Sequence, residues 1–308
     1  MNAYAPPAYT ILGVDSTQTE MVGPLHLAPV GDKAVDLDFD GGLLSSDAGL
    51  RLLKDPDEQL GLTRALAAVL KDARDPRRVH FTLHDLLKQR VLQIAAGYED
   101  ANDANTLRHD PLFKLLLDRL PDTGPPLASP PTLARFENHV SRPALYRMAR
   151  VLVEQFITSY ARPPQLIVLD FDDPEDPVHG EQEQARYDGY YGGYCFLPLH
   201  LYEGLSGRLI TTIFKAKRFT GTQMLSVVKR LVKRLRHAWP DTLLIFRGDS
   251  HFASPEVRQW IEAQAQLSYV TALTSNAVLQ TLAREGGTQA KRAYERDGGK
   301  ITRFHSTR

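Results

Sequence analysis

The apolar positions of this chain change period near residue 160. From Ser45 to Tyr160 they recur three and four apart, the spacing of a helix with one buried face. Leu62, Leu66, Val69 and Leu70 form one stripe, and Leu83, Leu86, Leu87, Val91, Leu92 and Ile94 form another. Thr82 predicts an N-cap for the second stripe and Gly97 its stop. Ser46 or Asp47 predicts the cap of a helix through Leu50, Leu52 and Leu53. A short helix is expected after Pro111, then a Pro/Gly-rich loop over 121–131, then a helix over about 143–160. The stretch before Ser45, with Pro6, Pro7, Pro24 and Pro29, reads as a loose arm.

Beyond Ala161-Arg-Pro-Pro164 the runs are shorter and richer in β-branched and aromatic residues. Leu166 to Leu169 predicts a strand, Tyr190 to Tyr202 a second, and Arg208 to Lys217 a third, the last two joined by a tight turn at 203–207. Thr222 to Trp239 is an amphipathic helix whose stripe is Met224, Val228, Leu231 and Leu235. Leu243 to Phe246 is a fourth strand. Ser254 caps a helix with Pro255 at its first position, and Leu267 to Leu273 is a fifth strand. The remainder, 276–308, is polar and contains glycine. The order β-β-β-α-β-α-β, after a helical module, predicts an α/β chain with the mixed sheet of an RNase H-like fold. Three strands on short turns form a meander, and helical crossovers add parallel strands.

Carboxylates stand where two of these strands end. Gln165-Leu-Ile-Val-Leu-Asp-Phe-Asp-Asp173 runs from aliphatic residues into acids, and Asp241-Thr-Leu-Leu-Ile-Phe-Arg-Gly-Asp-Ser250 repeats the plan. Side chains alternate along a strand, so Asp170 and Asp172 share a face and Asp173 points the other way. In the predicted sheet the first and fourth strands are neighbours, which brings Asp172 beside Asp249. Two carboxylates delivered in this way can hold a hard divalent cation. His251 reads as a polar neighbour of Asp249 rather than a ligand. Val35-Asp-Leu-Asp-Phe-Asp-Gly-Gly42 looks similar, but its apolar run is too short for a core strand, so it reads as an exposed edge strand or turn. Tyr187, Tyr190, Tyr191 and Tyr194, interleaved with Gly189, Gly192 and Gly193, fit either a substrate-touching loop or a turn with tyrosines at a sheet edge.

Composition narrows the class. The 308 residues are 43% hydrophobic and 24% charged with a formal net charge of +0, ordinary for a globular chain of about two domains. The single cysteine, Cys195, excludes an internal disulfide and reads as a buried small hydrophobe. No apolar run approaches the ~18 residues of a membrane span. No basic segment followed by an apolar one opens the chain, so no signal peptide and no membrane partner is expected, and a cytoplasmic, nucleoid-associated location is. Charge is uneven locally. Between Gly204 and Pro240 stand nine Lys or Arg residues and no acid. Lys229, Arg230, Lys233 and Arg236 lie opposite the apolar stripe of the 222–239 helix. Such a face binds the DNA backbone through counterion release, or it is simply solvated.

Several long blocks in order carry a resemblance. They are Ser45-Ser-Asp-Ala-Gly-Leu50, Gly97-Tyr-Glu-Asp100, Leu107-Arg-His-Asp-Pro-Leu-Phe113, Leu169-Asp-Phe-Asp-Asp-Pro-Glu-Asp-Pro-Val-His-Gly180, Gly189-Tyr-Tyr-Gly-Gly-Tyr-Cys-Phe-Leu-Pro-Leu199 and Arg247-Gly-Asp-Ser-His-Phe252. In these the chain resembles bacterial insertion-sequence transposases of the DDE (Asp-Asp-Glu) type, which carry a helical N-terminal block and an RNase H-like core interrupted by a β-rich insertion. The resemblance implies metal-dependent phosphoryl transfer on double-stranded DNA, both transposon ends and target. It also implies two Mg²⁺ (or Mn²⁺) ions in the complete enzyme and a homodimer on DNA. It places the first catalytic, metal-holding acid on Asp172, with Asp170 as the alternative, and the second on Asp249. Pro174 stands where relatives often have Thr. The third acid, a Glu on a later helix, has no match; Glu285 and Glu295 come too soon after Asp249. The expected organisation is thus an arm over 1–44, a DNA-binding helical module over 45–160, a partial core over 161–275 and the start of a truncated insertion over 276–308. The expected function is transposition by a C-terminally truncated copy; the alternative is a non-catalytic remnant that binds DNA or a partner.

Overall fold

The computed structural model describes residues 25–30, 33–37, 42–272 and 276–299. These group into two compact units, one from the described residues of Met1–Lys54 with Lys88–Leu133, the other from those of Asp55–Leu87 with Ala134–Arg308. In chain order the helices are α1 (Arg51–Leu60), α2 (Leu62–Ala68), α3 (Leu83–Ala95), α4 (Ala104–Leu107), α5 (Pro111–Leu116), α6 (Pro130–Asn138), α7 (Arg142–Thr158), α8 (Gly221–Ala238), α9 (Pro255–Glu262) and α10 (Ala277–Asp297). The strands are β1 (Leu25–Val30), β2 (Lys33–Leu37), β3 (Leu166–Asp172), β4 (Asp176–Pro177), β5 (Arg186–Asp188), β6 (Gly193–Phe196), β7 (Leu199–Glu203), β8 (Leu209–Ile213), β9 (Leu243–Gly248) and β10 (Leu267–Thr271).

In the first unit β1 and β2 pair antiparallel, Leu25 opposite Leu37, where the sequence suggested a loose arm. Asp36 lies in β2; Asp38 and Asp40 are outside the described residues. The core of this unit is Leu50, Leu92, Leu107, Leu112, Phe113, Leu116 and Leu127. Asp110 starts α5 by accepting from the backbone N–H of Leu112 at 2.8 Å and Phe113 at 3.0 Å, with Pro111 at the first helical position. Of the three leucines expected along the first helix, only Leu50 is buried; Leu52 and Leu53 are exposed.

The second unit is built on a five-stranded sheet in the order β10-β9-β3-β7-β8. β3 runs parallel to β9 and antiparallel to β7, and β10 runs parallel to β9. That is the strand order and direction of an RNase H-like sheet, with the first and fourth strands adjacent as predicted. One face carries Ile167, Leu169, Phe171, Leu199, Leu201, Leu244 and Phe246, in a single buried cluster with Val153 and Phe156 of α7, Met224, Val228, Leu231, Val232 and Leu235 of α8, and Val257 and Ile261 of α9. α8 begins one residue earlier than its apolar stripe suggested. Thr220 accepts from Gln223 N–H while the Gln223 side chain accepts from Thr220 N–H, a reciprocal capping box.

Three differences from the sequence reading have local causes. The run Tyr190 to Tyr202 is two strands, because Pro198 offers no N–H to a ladder; β6 turns away into a small sheet of order β4-β6-β5, and β7 joins the main one. The loop expected to last to Pro131 gives way to α6 already at Pro130, since proline is tolerated in a first helical turn. The polar 276–308 stretch contains α10. Asn276 caps it by accepting from Leu279 N–H at 3.0 Å, which helps offset Gly286 and Gly287, each costing about 1 kcal/mol in a helix interior. Among the described residues no helix is long and apolar enough to cross a membrane.

Candidate active site

β3 and β9 deliver the acids. Their register sets Asp170 opposite Arg247 and Phe171 opposite Gly248, so Asp172 and Asp249 follow as the next residues of adjacent parallel strands. Alternation puts Asp170, Asp172 and Arg247 on the sheet face opposite the helix-covered core, and Asp249 follows one residue past β9. On the other side of β3, Asp172 pairs with His200, whose Nδ1 is 2.9 Å from Thr212 Oγ1 of β8. Asp172 is exposed, and the Asp249 side chain is 65% exposed.

The two candidates for the first acid differ in their partners. Arg247 Nε and Nη2 donate to the two Asp170 oxygens at 2.7 and 2.6 Å, a bidentate pair. Asp170 in turn raises the Arg247 guanidinium above its ordinary value. The approach depends on Gly204 in the turn after β7, where a Cβ would sit 2.7 Å from Arg247 Nη2. Asp172 has no such cation against it and is exposed.

Asp249 opens a single 3-10 turn, Ser250–Phe252, and its Oδ1 accepts from His251 N–H at 3.3 Å. The His251 ring folds back, with Nδ1 2.5 Å from Asp249 Oδ1 and Nε2 2.9 Å from Asp173 Oδ1, both within ion-pair distance. Nε2 makes no directed hydrogen bond despite this proximity. The other Asp173 oxygen accepts from Lys215 Nζ at 2.7 Å. Asp173 and Lys215 are buried, with side chains 4% and 5% exposed. Burial pushes the Asp173 carboxyl up, but His251 and Lys215 outweigh it and hold it below the usual carboxylate range. Burial draws the Lys215 amine down against the pull of Asp173. Sequence reasoning missed this linkage. Asp173 was visible only as the acid pointing away from Asp172, and nothing around Lys215 marked it.

The basic residues of α8 fall into two kinds. Lys229 lies 5.7 Å from the Trp260 ring centre and Arg230 5.5 Å from that of Tyr146, while Lys229, Arg230 and Lys233 are all exposed. Arg236 is spent inside the fold: its guanidinium donates to the carbonyls of Pro240, Thr242, Ala265 and Gln266, the last at 2.7 Å. Arg230 and Lys233 also line a groove of about 1220 Å³ between α7, β8 and α8, together with Arg142 and Arg150. The groove does not include the acids. Cys195 is buried, as expected, and burial raises its thiol. Tyr187 and Tyr194 meet edge to face across β5 and β6 at 5.8 Å, both exposed. Glu295 lies on α10, 3.9 Å from Lys291 Nζ, and Glu285 belongs to the same helix.

An RNase H-like sheet with two acids at the ends of its first and fourth strands defines the class. The chain belongs to the family described as transposase DDE domain group 1, which it matches over residues 27–307. Among solved structures it is similar to the piggyBac transposase synaptic complex with hairpin DNA, over 74% of this chain and 51% of that one, at 16% identity and a TM-score of 0.35. It is similar to the Mos1 strand transfer complex over 80% of this chain and 84% of that one, at 10% identity and a TM-score of 0.24. For a simian T-cell lymphotropic virus intasome in complex with the PP2A regulatory subunit B56 gamma, the values are 50%, 51%, 11% and 0.25. The chain spans about half the length of the piggyBac chain it matches. No curated protein matches it.

Proposed function

We propose that this chain is the catalytic core of a DNA transposase that nicks and transfers strands with a divalent cation, Asp172 and Asp249 holding the cation and the exposed cations of α8 holding duplex DNA. The observation that supports this most is the register of β3 with β9, which runs to Phe171 opposite Gly248 and leaves Asp172 and Asp249 as the next residues of the two segments. Among the described residues no three acids, histidines or cysteines converge as a closed cage. Two exposed carboxylates nonetheless fit Mg²⁺ or Mn²⁺, which bind through one or two protein carboxylates while keeping water and taking substrate phosphate oxygens. When bound, such an ion supplies Lewis-acid stabilisation at the phosphoryl oxygens and lowers the pKa of an attacking water. The chain's own part is positional. Arg247 ties up Asp170, leaving Asp172 as the acid without a fixed cation. Lys229, Arg230 and Lys233 meet the phosphates, and Arg236 shapes the fold instead. Two copies on paired DNA ends is the assembly this reading implies.

The test is a nicking and strand-transfer assay on DNA carrying the element's ends, with Mg²⁺ or Mn²⁺. Asp172→Asn and Asp249→Asn should each lower the rate about 10²-fold or more while DNA is still bound. Cutting that survives both changes rejects the assignment, and binding without cutting by the unaltered chain favours a binding-only protein. In a retardation series, changing Lys229, Arg230 and Lys233 together to Ala should flatten the salt dependence, by a log–log slope of roughly 0.9 per lost phosphate contact. An unchanged slope makes that face a solvated surface.

A further inference from the structure

We infer that His251 is the positioning residue for Asp249, fixing the carboxylate at the cation site by anchoring it to the buried Asp173–Lys215 pair. This rests on the reading of Asp249 as a cation-holding acid. Three segments distant in sequence meet here: the end of β3 gives Asp173, the stretch after β8 gives Lys215, and the turn after β9 gives His251.

Asp249 needs such an anchor. It lies past the last residue of β9, where no ladder holds it, and its side chain is 65% exposed. Its one backbone tether is the 3.3 Å bond from His251 N–H. A carboxylate so placed samples several rotamers, and each must be lost when a cation binds. The imidazole restricts it. His251 Nδ1 sits 2.5 Å from Oδ1, which leaves Oδ2 for a ligand.

The imidazole is itself flanked on two sides. Nε2 lies 2.9 Å from the buried Asp173, whose second oxygen is fixed by Lys215. The ring also lies 3.8 Å from the Phe252 ring, and Phe252 is buried in the core cluster near Phe171. Gly248 permits this, since a Cβ there would come within 2.9 Å of Phe252 Cδ2. The position of Asp249 is therefore coupled to the rigid core through His251. A second carboxylate that orients a histidine, which in turn orients a cation-holding acid, extends the rule that outer contacts tune metal ligands.

A histidine in this place is also explicable as a latch that only keeps the turn folded, so the test separates position from stability. Mn²⁺ alone is titrated into the full chain and followed by electron paramagnetic resonance, with thermal melting in parallel. Asp249→Ala should abolish the bound-Mn²⁺ signal; an unchanged signal sinks the underlying reading of Asp249. Given that loss, His251→Ala should weaken Mn²⁺ binding about 10-fold or more at an unchanged melting point, in the range found for outer-shell partners. Should His251→Ala fail to fold, the pair His251→Asn and His251→Gln decides. Asparagine keeps a donor near the Nδ1 position that faces Asp249, and glutamine keeps one near Nε2. Asparagine should retain most of the affinity and glutamine should lose it. Affinity within twofold of the parent in His251→Ala, or equal affinity in the Asn and Gln variants, overturns the inference.

Discussion

The two faces of the five-stranded sheet use the same strands for opposite ends. Along β3, Ile167, Leu169 and Phe171 point into the helix-covered core, and Asp170 and Asp172 point away from it. Along β9 the pairing is Leu244 and Phe246 against Arg247. Parallel strands are ordinarily covered on both faces. Here the second face keeps Leu243, Tyr202 and Val270 exposed around a bidentate ion pair. The covered face gains its stability from burial, while the open face keeps charge accessible at some cost in burial. Damage on the first should appear as lost folding, and damage on the second as lost chemistry.

The largest effect should come from the covered face. Phe246 is fully buried, with its ring 4.5 Å from Phe171. Phe246→Ala should destabilise the second unit by about 3–5 kcal/mol, read by denaturant unfolding. A loss under about 1 kcal/mol would mean that this face is not the packed core. On the open face, Asp172→Asn should shift the same unfolding curve by less than about 0.5 kcal/mol, although it is the change expected to stop DNA cutting. Large destabilisation by Asp172→Asn would collapse the distinction between the faces.

A smaller effect is expected from the ion pair within the open face. The Arg247 and Asp170 side chains are 44% and 34% exposed, so solvent screens them. Asp170→Asn should cost no more than about 1 kcal/mol and should leave Mn²⁺ binding intact if Asp172 is the first acid. Loss of Mn²⁺ binding in Asp170→Asn would transfer that role to Asp170.

The smallest effect is a pH dependence on the covered side. Arg234 of α8 donates to Glu154 of α7 and holds the Glu154 carboxyl below its ordinary value. A depressed acid contributes stability above its unfolded pKa of about 4.3 and loses it as pH falls through the lower folded value. Both side chains are partly exposed, so the contribution is a fraction of 1 kcal/mol. Between pH 5 and pH 3 the parent should lose slightly more stability than Glu154→Gln, and parallel curves would show that the pair contributes nothing.

Much of the fold was legible because its signals are local. Apolar spacing located α3, α7, α8 and the main strands, and caps such as Ser254 with Pro255 act within one turn. The order of those elements was enough to make the first and fourth strands neighbours. Where local signals conflicted, as at Gly286 and Gly287 in α10 or at Pro198 between β6 and β7, the sequence was read one way and the chain folds another.

What the sequence by itself determined, then, is which residues lie on strands, which on helices, and at which strand ends the acids stand, since these depend on neighbours a few positions away. Only the tertiary structure decided the partners of each charge. Asp170 is matched to Arg247 by the register of two strands far apart in the chain. Arg236, which looked like a free cation of α8, reaches carbonyls at Ala265 and Gln266. Asp173, Lys215 and His251 meet only where three segments converge. A charge takes whichever opposite charge or carbonyl lies within a few ångströms, and separation along the chain carries no information about that distance.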